Sequence, residues 1–440
     1  MPGPYPARPS ALAEGIFRRE ILPWGLLGFA LGLVEGATAA ILVKQHFTGV
    51  TSVFGVNLAV ALVSGAPAFS NVVSFVWANI AHGRARVQMM VALQAVFALL
   101  VGCVSFASHA AGGLVVTVLS VVAARVVWAG ILTVRAAVWT ANYPRNVLAR
   151  ITGRLVIVNS IAVACSAALV GWALEARAID ARWLYGGGAL AGLLGAWLYR
   201  AMRVRREFRL LAAEASSGAC SEPFSLRVLT RILKEDADFR EYMLWMGIYG
   251  GGNLMLTAQL VLLFSERLHL TSGTQIGLLA VVPLITQPLF LPFWARLFDG
   301  SHVVRFRSRQ GWALVLASTA MCAGVFSAWA PLLWIGAVLL GAANAGANLG
   351  WNLGHTDFAS VGRAQQYMGV HVTLTGLRGG VAPPLGVLVY MGLEASHPGA
   401  GELALLLPLA MTLTGALGFN RMRRRADAQQ AGEPLKRGAL

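Results

Sequence analysis

Apolar stretches of about twenty residues recur twelve times along the chain, each bounded by a polar or turn-forming cluster. About twenty such residues are what an α-helix needs to cross the hydrocarbon core of a bilayer. The windows fall near 21–43, 53–80, 87–108, 113–141, 154–175 and 183–203, and then near 241–265, 274–298, 311–329, 331–354, 366–392 and 402–420. Between the two sets of six lies 204–240, polar and charged, which reads as a loop with amphipathic helical pieces. Composition removes the soluble alternatives. With 440 residues, 57% hydrophobic and 12% charged, and a mean hydropathy of +0.65, a soluble fold could not cover its apolar surface. A disordered chain would need the opposite balance. The expected class is an all-α, polytopic membrane protein with twelve transmembrane helices.

The formal charge of +16 and pI of 10.8 would suggest nucleic acid in a soluble protein. Here the distribution matters more, and no nucleic-acid partner is expected. If the N-terminus is cytoplasmic, 28 of the 35 Lys and Arg fall in cytoplasmic segments. Only Lys44, Arg177, Arg182 and Arg267 fall in outside loops, and Arg125, Arg135 and Arg378 lie within spans. The positive-inside rule then places both termini in the cytoplasm of a multi-pass cytoplasmic (inner) membrane protein. The first 15 residues carry four prolines and no apolar run, which does not fit a cleaved signal peptide. The run from Arg421 to Arg425 reads as an anchor near anionic lipid. Four cysteines (Cys103, Cys165, Cys220, Cys322) show no metal-binding spacing, so neither a disulfide nor a metal site is expected.

The chain repeats itself. Phe17-Arg18-Arg19-Glu20 with Trp24 is echoed by Asp238-Phe239-Arg240-Glu241 with Trp245, a shift of 221. Trp77-Ala78-Asn79-Ile80-Ala81-His82-Gly83 stands against Trp294-Ala295-Arg296-Leu297-Phe298-Asp299-Gly300, a shift of 217. Spans 5 and 11 align at nearly the same offset. The expected organisation is therefore two parallel six-helix halves, 1–203 and 241–425, joined by the cytoplasmic loop 204–240 and followed by a tail, 426–440. Twelve spans, parallel repeats and a long central loop resemble the major facilitator superfamily, from about residue 15 to 425. That family's G-x-L-x-D-x-x-G-R-[RK] loop signature is eroded in Ala78–Arg86, with Ala for Gly and His82 for Asp. The second copy keeps the acid as Asp299, followed by Arg305 and Arg307. The Gly-Pro antiporter signature expected in span 5 is absent from Val156–Cys165, so no motif supports export.

Charges in hydrocarbon cost ~2.5–3.5 kcal/mol each on insertion scales and usually face a cavity or a partner. Glu35, Arg125, Arg135 and Arg378 qualify, and three of them (Glu35, Arg125, Arg378) fall near mid-span. Glu35 reads either as a protonation site or as half of a fixed ion pair. The arginines read either as structural partners or as binders of an anionic substrate group. Asn344, Asn348 and Asn352 recur every four residues on one face of span 10. Span 7 adds Asn253 and Gln259. The resemblance makes spans 1, 4, 7 and 10 cavity-lining, although amides also bond between membrane helices. His371, Thr375 and Arg378 share a face of span 11, and Gly379-Gly380-Val381-Ala382-Pro383-Pro384 should kink or break that helix. His82, Arg84, Asp299, Arg305 and Asp357 are the candidate cytoplasmic gate, with a charge network expected only in the second half.

These observations imply a secondary transporter that works by alternating access on a small-molecule substrate, with an anionic one among the readings. Proton coupling through Glu35 is one possibility, and the protein is expected to act as a monomer in the lipid bilayer. No nucleotide-binding segment or phosphate loop accompanies the glycine clusters, so no cofactor is expected. His355-Thr356-Asp357 lacks a nucleophile or metal partner, so no catalytic residues are assigned and no enzymatic activity is expected. The alternative is a non-transporting membrane sensor or assembly factor on the same fold, which the eroded loop motif favours.

Overall fold

The computed structural model describes residues 11–430 apart from 144, 177–179, 206, 217–224 and 361–362. Arg8, Arg177, Lys436 and Arg437 of the charge separation, Cys220, and the end of the expected tail lie outside the described residues. Every regular element described is helical. The chain divides into two compact units, Met1–Pro223 and Phe224–Leu440, a division that falls within 204–240.

The first unit contains α1 (Ala11–Leu33), α2 (Gly36–Phe47), α3 (Val53–Phe69), α4 (Ser74–Ala81) and α5 (Arg86–Cys103). It continues with α6 (Ala111–Asn142), α7 (Arg145–Ala176), α8 (Ala181–Tyr199) and the short α9 (Glu207–Ser216). The second unit contains α10 (Leu226–Glu235), α11 (Ala237–Glu266), α12 (Ser272–Ile276) and α13 (Val282–Asp299). It ends with α14 (Val303–Ser327), α15 (Ala330–Leu353), α16 (Ala364–Ser396) and α17 (Leu406–Gln430).

Among the described residues, ten segments are long and apolar enough to cross a membrane, and the bent pair α1/α2 makes an eleventh. The expected sixth span, α8, forms over 19 residues and packs on α1 and α5. Arg182, a run of three glycines and several Trp and Tyr residues keep its hydropathy below that of the others. Exposed apolar side chains mark the outer surfaces: Leu119, Trp183 and Leu190 in the first unit, and Leu289, Leu316 and Leu377 in the second. Surfaces of that kind are stable against hydrocarbon and not against water.

The sequence repeat is built into the packing of each unit. Trp77 Nε1 donates to the Val126 carbonyl of α6 at 2.9 Å, and Trp294 Nε1 donates to the Ala342 carbonyl of α15 at 2.7 Å. A glycine four residues on in the acceptor helix makes room for each ring. A Cβ on Gly130 would lie 2.8 Å from the Trp77 ring, and one on Gly346 would lie 2.9 Å from the Trp294 ring.

Three expectations change. The first window, 21–43, is not one helix, because the chain breaks at Val34-Glu35 and bends by 41°. Lys44 is not a loop cation: it is buried in α2 and donates to Asn57 Oδ1 at 2.8 Å. Pro383 and Pro384 do not break span 11, since α16 runs through them from Ala364 to Ser396. Two adjacent prolines withdraw donors only from the carbonyls of Gly379 and Gly380, where the absent side chains leave the backbone room to adjust.

Candidate functional site

The break in α1/α2 has identifiable causes. Gly32 lies so close to α7 that a Cβ there would fall 2.5 Å from the Val163 carbonyl. Gly36 lies so close to α3 that a Cβ would fall 2.8 Å from the Ser64 carbonyl. Tyr185 of α8 donates its hydroxyl to the Leu33 carbonyl at 2.7 Å, satisfying an acceptor that the helix end leaves open. Glu35 sits in extended backbone at the start of α2 and makes no side-chain cap bond of its own. Its carboxylate is used elsewhere: Arg125 of α6 donates through Nη1 to Glu35 Oε2 at 2.9 Å. The partners are unequally sealed, with 9% of the Arg125 side chain accessible against 32% of that of Glu35. Arg125 Nε is buried and has no hydrogen-bond partner among the described residues.

Nearly three turns further along α6, Arg135 meets an acid that sequence reading passed over. Glu20 of α1 is fully buried. It accepts from Trp139 Nε1 at 2.7 Å, from the Tyr143 hydroxyl at 2.6 Å and from the Tyr199 hydroxyl at 3.4 Å. Arg135 is an electrostatic partner of Glu20, and its guanidinium lies over the Trp139 and Trp24 rings at 4.2 and 4.9 Å. Burial and the adjacent Glu20 carboxylate push the Tyr143 phenol up, so that it remains a proton donor to Glu20. Arg18 and Arg19 disguise Glu20 as part of a polar flank. Its spacing of four from Trp24 was the available signal, since it places Glu20 on the buried face.

The second unit distributes the candidates differently. Asn253 and Asn344 are half-buried, whereas Asn348 and Asn352 are exposed, and Asn352 Nδ2 donates to the Asn348 carbonyl at 2.8 Å. Gln259 is not on a lining face: it is fully buried and donates through Nε2 to the carbonyls of Gly386 and Ala404 at 2.9 and 3.2 Å. Its amide ties α11 to α16 and to the turn before α17, which is the interhelical role of such groups. His371 is fully buried, with the Trp351 ring 5.7 Å away. Trp351 Nε1 donates to Thr375 Oγ1 at 3.3 Å. Arg378, read from the sequence as a mid-span charge, bonds within its own unit, donating to the Met246 carbonyl. Arg307, counted in the sequence as a cytoplasmic-end charge, is buried in α14.

The expected charge network of the second half is not formed as drawn. Asp299 is exposed and has no ion-pair partner among the described residues. Arg305 reaches past it to Asp427 of α17 at 2.5 Å. Asp357 caps α14 by accepting from the Val303 backbone N–H at 2.6 Å. The first half builds the same cap with an acid from another segment: Glu207 of α9 accepts from the Arg86 backbone N–H at the start of α5, at 2.8 Å. A carboxylate at a helix N-terminus satisfies an open donor and opposes the helix dipole. His82 ends α4 in extended backbone, and Gly83 turns the chain at φ +68°, a conformation that glycine adopts without strain. Arg84 lies exposed beside it, its carbonyl accepting from Arg86 Nη1 at 3.4 Å. No His, Cys, Asp and Glu cluster suited to a metal ion occurs among the described residues.

No protein-family model and no curated protein matches this sequence. Solved structures do match the fold along almost the whole chain. A D-xylose–proton symporter aligns with a TM-score of 0.70 at 12% identity, covering 93% of this chain and 97% of that one. A mutant of the nucleoside transporter NupG gives 0.65 at 12% identity, covering 91% and 99%. A bacterial homolog of the human lysosomal transporter Spinster, inward-facing and occupied, gives 0.63 at 13% identity, covering 96% and 98%. Long apolar helices and these neighbours define a multi-pass, all-helical membrane protein. More particularly, its fold is the major facilitator fold.

Proposed function

We propose that this chain is a secondary transporter that carries a small organic solute across the cytoplasmic membrane by alternating access, coupled to protons at Glu35. The observation that carries this reading is the Glu35–Arg125 pair, set where the first span breaks. A pair whose acid is one-third accessible and whose base is sealed is suited to exchange a proton on one side only. When Glu35 is ionised, Arg125 is neutralised. When Glu35 takes a proton, Arg125 keeps its charge, because a guanidinium does not release its own. The uncovered cation then favours a conformation in which solvent or an anionic group of the solute reaches it. Proton occupancy and conformation are thereby linked, as coupled transport requires.

The non-transporting alternative drew its support from the missing acid in the first loop. Glu207 supplies a carboxylate at that loop, accepting from the Arg86 backbone N–H, which supports the transport reading instead. The test begins with a thermal-stabilisation screen of the purified protein against acidic metabolites, sugars, peptides and cationic drugs. The solute found there is then followed in proteoliposomes. Glu35→Gln is expected to preserve exchange of that solute down its gradient while abolishing accumulation driven by a proton gradient. Undiminished uphill transport in the variant would remove the coupling role, and absence of any flux in the unsubstituted protein would remove transport itself.

A further inference from the structure

The second unit holds cations in its interior with no acid paired to them among the described residues. Arg307 of α14 is 1% exposed. Its Nη1 donates to Gln310 Oε1 at 2.8 Å and its Nη2 to the Ala347 carbonyl at 3.2 Å, both neutral acceptors. Arg378 of α16 is half-buried and donates to another neutral acceptor, the Met246 carbonyl. Neither has a carboxylate within ion-pair distance among the described residues. Each guanidinium lies against a glycine: a Cβ on Gly350 would fall 2.7 Å from Arg307 Cζ, and one on Gly250 would fall 2.5 Å from Arg378 Cζ.

The polar atoms left open cluster in the same place. Nε of Arg307, Nε of Arg378, both ring nitrogens of His371 and the Tyr242 hydroxyl are buried and have no hydrogen-bond partner among the described residues. The groups that act electrostatically on His371 are Arg378, Arg307 and His355, and those that act on Arg378 are Arg307 and Tyr242. Like charges held together in a low-dielectric interior repel, and unpaired buried donors add a further cost. A single anion would answer both. Guanidinium groups match the planar fork of oxygen atoms on a carboxylate or phosphate, and the imidazole and phenol offer further donors.

We infer that Arg307, Arg378, His371 and Tyr242 form a binding site for a small oxyanion, a carboxylate or phosphate group, within the second unit. Arg378, the partly exposed member, is the entrance, and Arg307 is the closed end. The site stands on the geometry of this unit alone. Its use as a substrate subsite, which would make the solute anionic, rests on the transport reading above.

The test reads binding, so its failure is distinguishable from a failure of proton coupling. The full-length protein, purified in neutral detergent, is titrated with inorganic phosphate, sulfate and succinate, and its thermal midpoint is compared with chloride at equal ionic strength. A parallel arm uses phosphatidylcholine nanodiscs with and without phosphatidylglycerol, free of added oxyanion, to separate a lipid headgroup from a soluble anion. We expect a saturable rise in midpoint with at least one oxyanion or with the anionic lipid. Arg378→Gln and Arg307→Gln should each weaken it at least tenfold, while Arg182→Gln, at an exposed ion pair in the other unit, leaves it intact. Should Arg307→Gln fail to fold, Arg378→Gln decides alone, and Arg378→Lys should recover only part of the affinity because it lacks the fork. Stabilisation no greater than that of chloride, or stabilisation unchanged in Arg378→Gln, would overturn the site.

Discussion

The two halves share a packing skeleton and differ in their charges. Trp77, Val126 and Gly130 recur as Trp294, Ala342 and Gly346, at offsets of 216 or 217. The helix N-termini at Arg86 and Val303, also 217 apart, each carry a carboxylate cap. In the first half the deep arginines answer to acids, Arg125 to Glu35 and Arg135 to Glu20. In the second half Arg307 and Arg378 answer to carbonyls and an amide. Where α7 crosses α1, the side chain lying on Gly28 is the amide of Asn159, and where α16 crosses α11, the one lying on Gly250 is the guanidinium of Arg378. Side-chain packing that fixes helix positions is common to both halves, while groups that set charge in the interior have diverged. The inference is that the halves contribute different chemistry to one fold: a protonatable pair from the first, an anion site from the second.

The largest effect that would sharpen this contrast lies at equivalent acids near the starts of the two halves. Glu20 is fully buried and serves three donors and Arg135, so Glu20→Ala should cost about 3–5 kcal/mol, as removal of one member of a buried charged cluster does. Glu241 occupies the matching position but is partly exposed, accepting from Trp245 and paired with Arg425. Its substitution by Ala should cost about 0–1 kcal/mol, in the range of accessible ion pairs. Chemical denaturation in detergent would measure both, and equal losses would show that burial of the first acid carries no extra stability.

Smaller effects should appear at the helix caps, and there the halves should agree. Glu207→Ala and Asp357→Ala each remove a side-chain acceptor from a helix N-terminus, for a loss of about 0.5–2 kcal/mol. Thermal unfolding of both variants would check it. A loss at Asp357 alone would mean that the acid borrowed from α9 does not do the work of the one beside α14.

Apolar windows were enough to locate the helices, because a spanning helix must be apolar over its whole length. The break at Glu35 was hidden because Leu33, Val34 and Gly36 continue the apolar run, while the cause lies in helices that pack against Gly32 and Gly36 from far along the chain. Glu35 itself was legible as an isolated acid among apolar residues, and Arg125 as its candidate partner. Glu20 and Arg307 were not, since each stands beside other charges and sequence position alone reads them as interfacial. Gln259 was misplaced for the converse reason: an amide in a span looks the same whether it faces a cavity or ties helices together. Asp299 matches the acid of the resembled loop signature but has no ion-pair partner among the described residues, and the cap on α5 came from Glu207, which lies 121 residues away from Arg86.

The contrast between the halves is tested most directly by comparing the thermal midpoints of Arg125→Gln and Arg378→Gln in dilute chloride, with Glu35→Gln added to the first. Arg125→Gln should lower the midpoint, with a loss of about 1–3 kcal/mol given the partial exposure of Glu35, and the double variant should recover part of it. Arg378→Gln should raise the midpoint, because it relieves repulsion with Arg307 when no oxyanion is bound. A fall of the same size in both arginine variants, with no recovery on adding Glu35→Gln, would contradict the account.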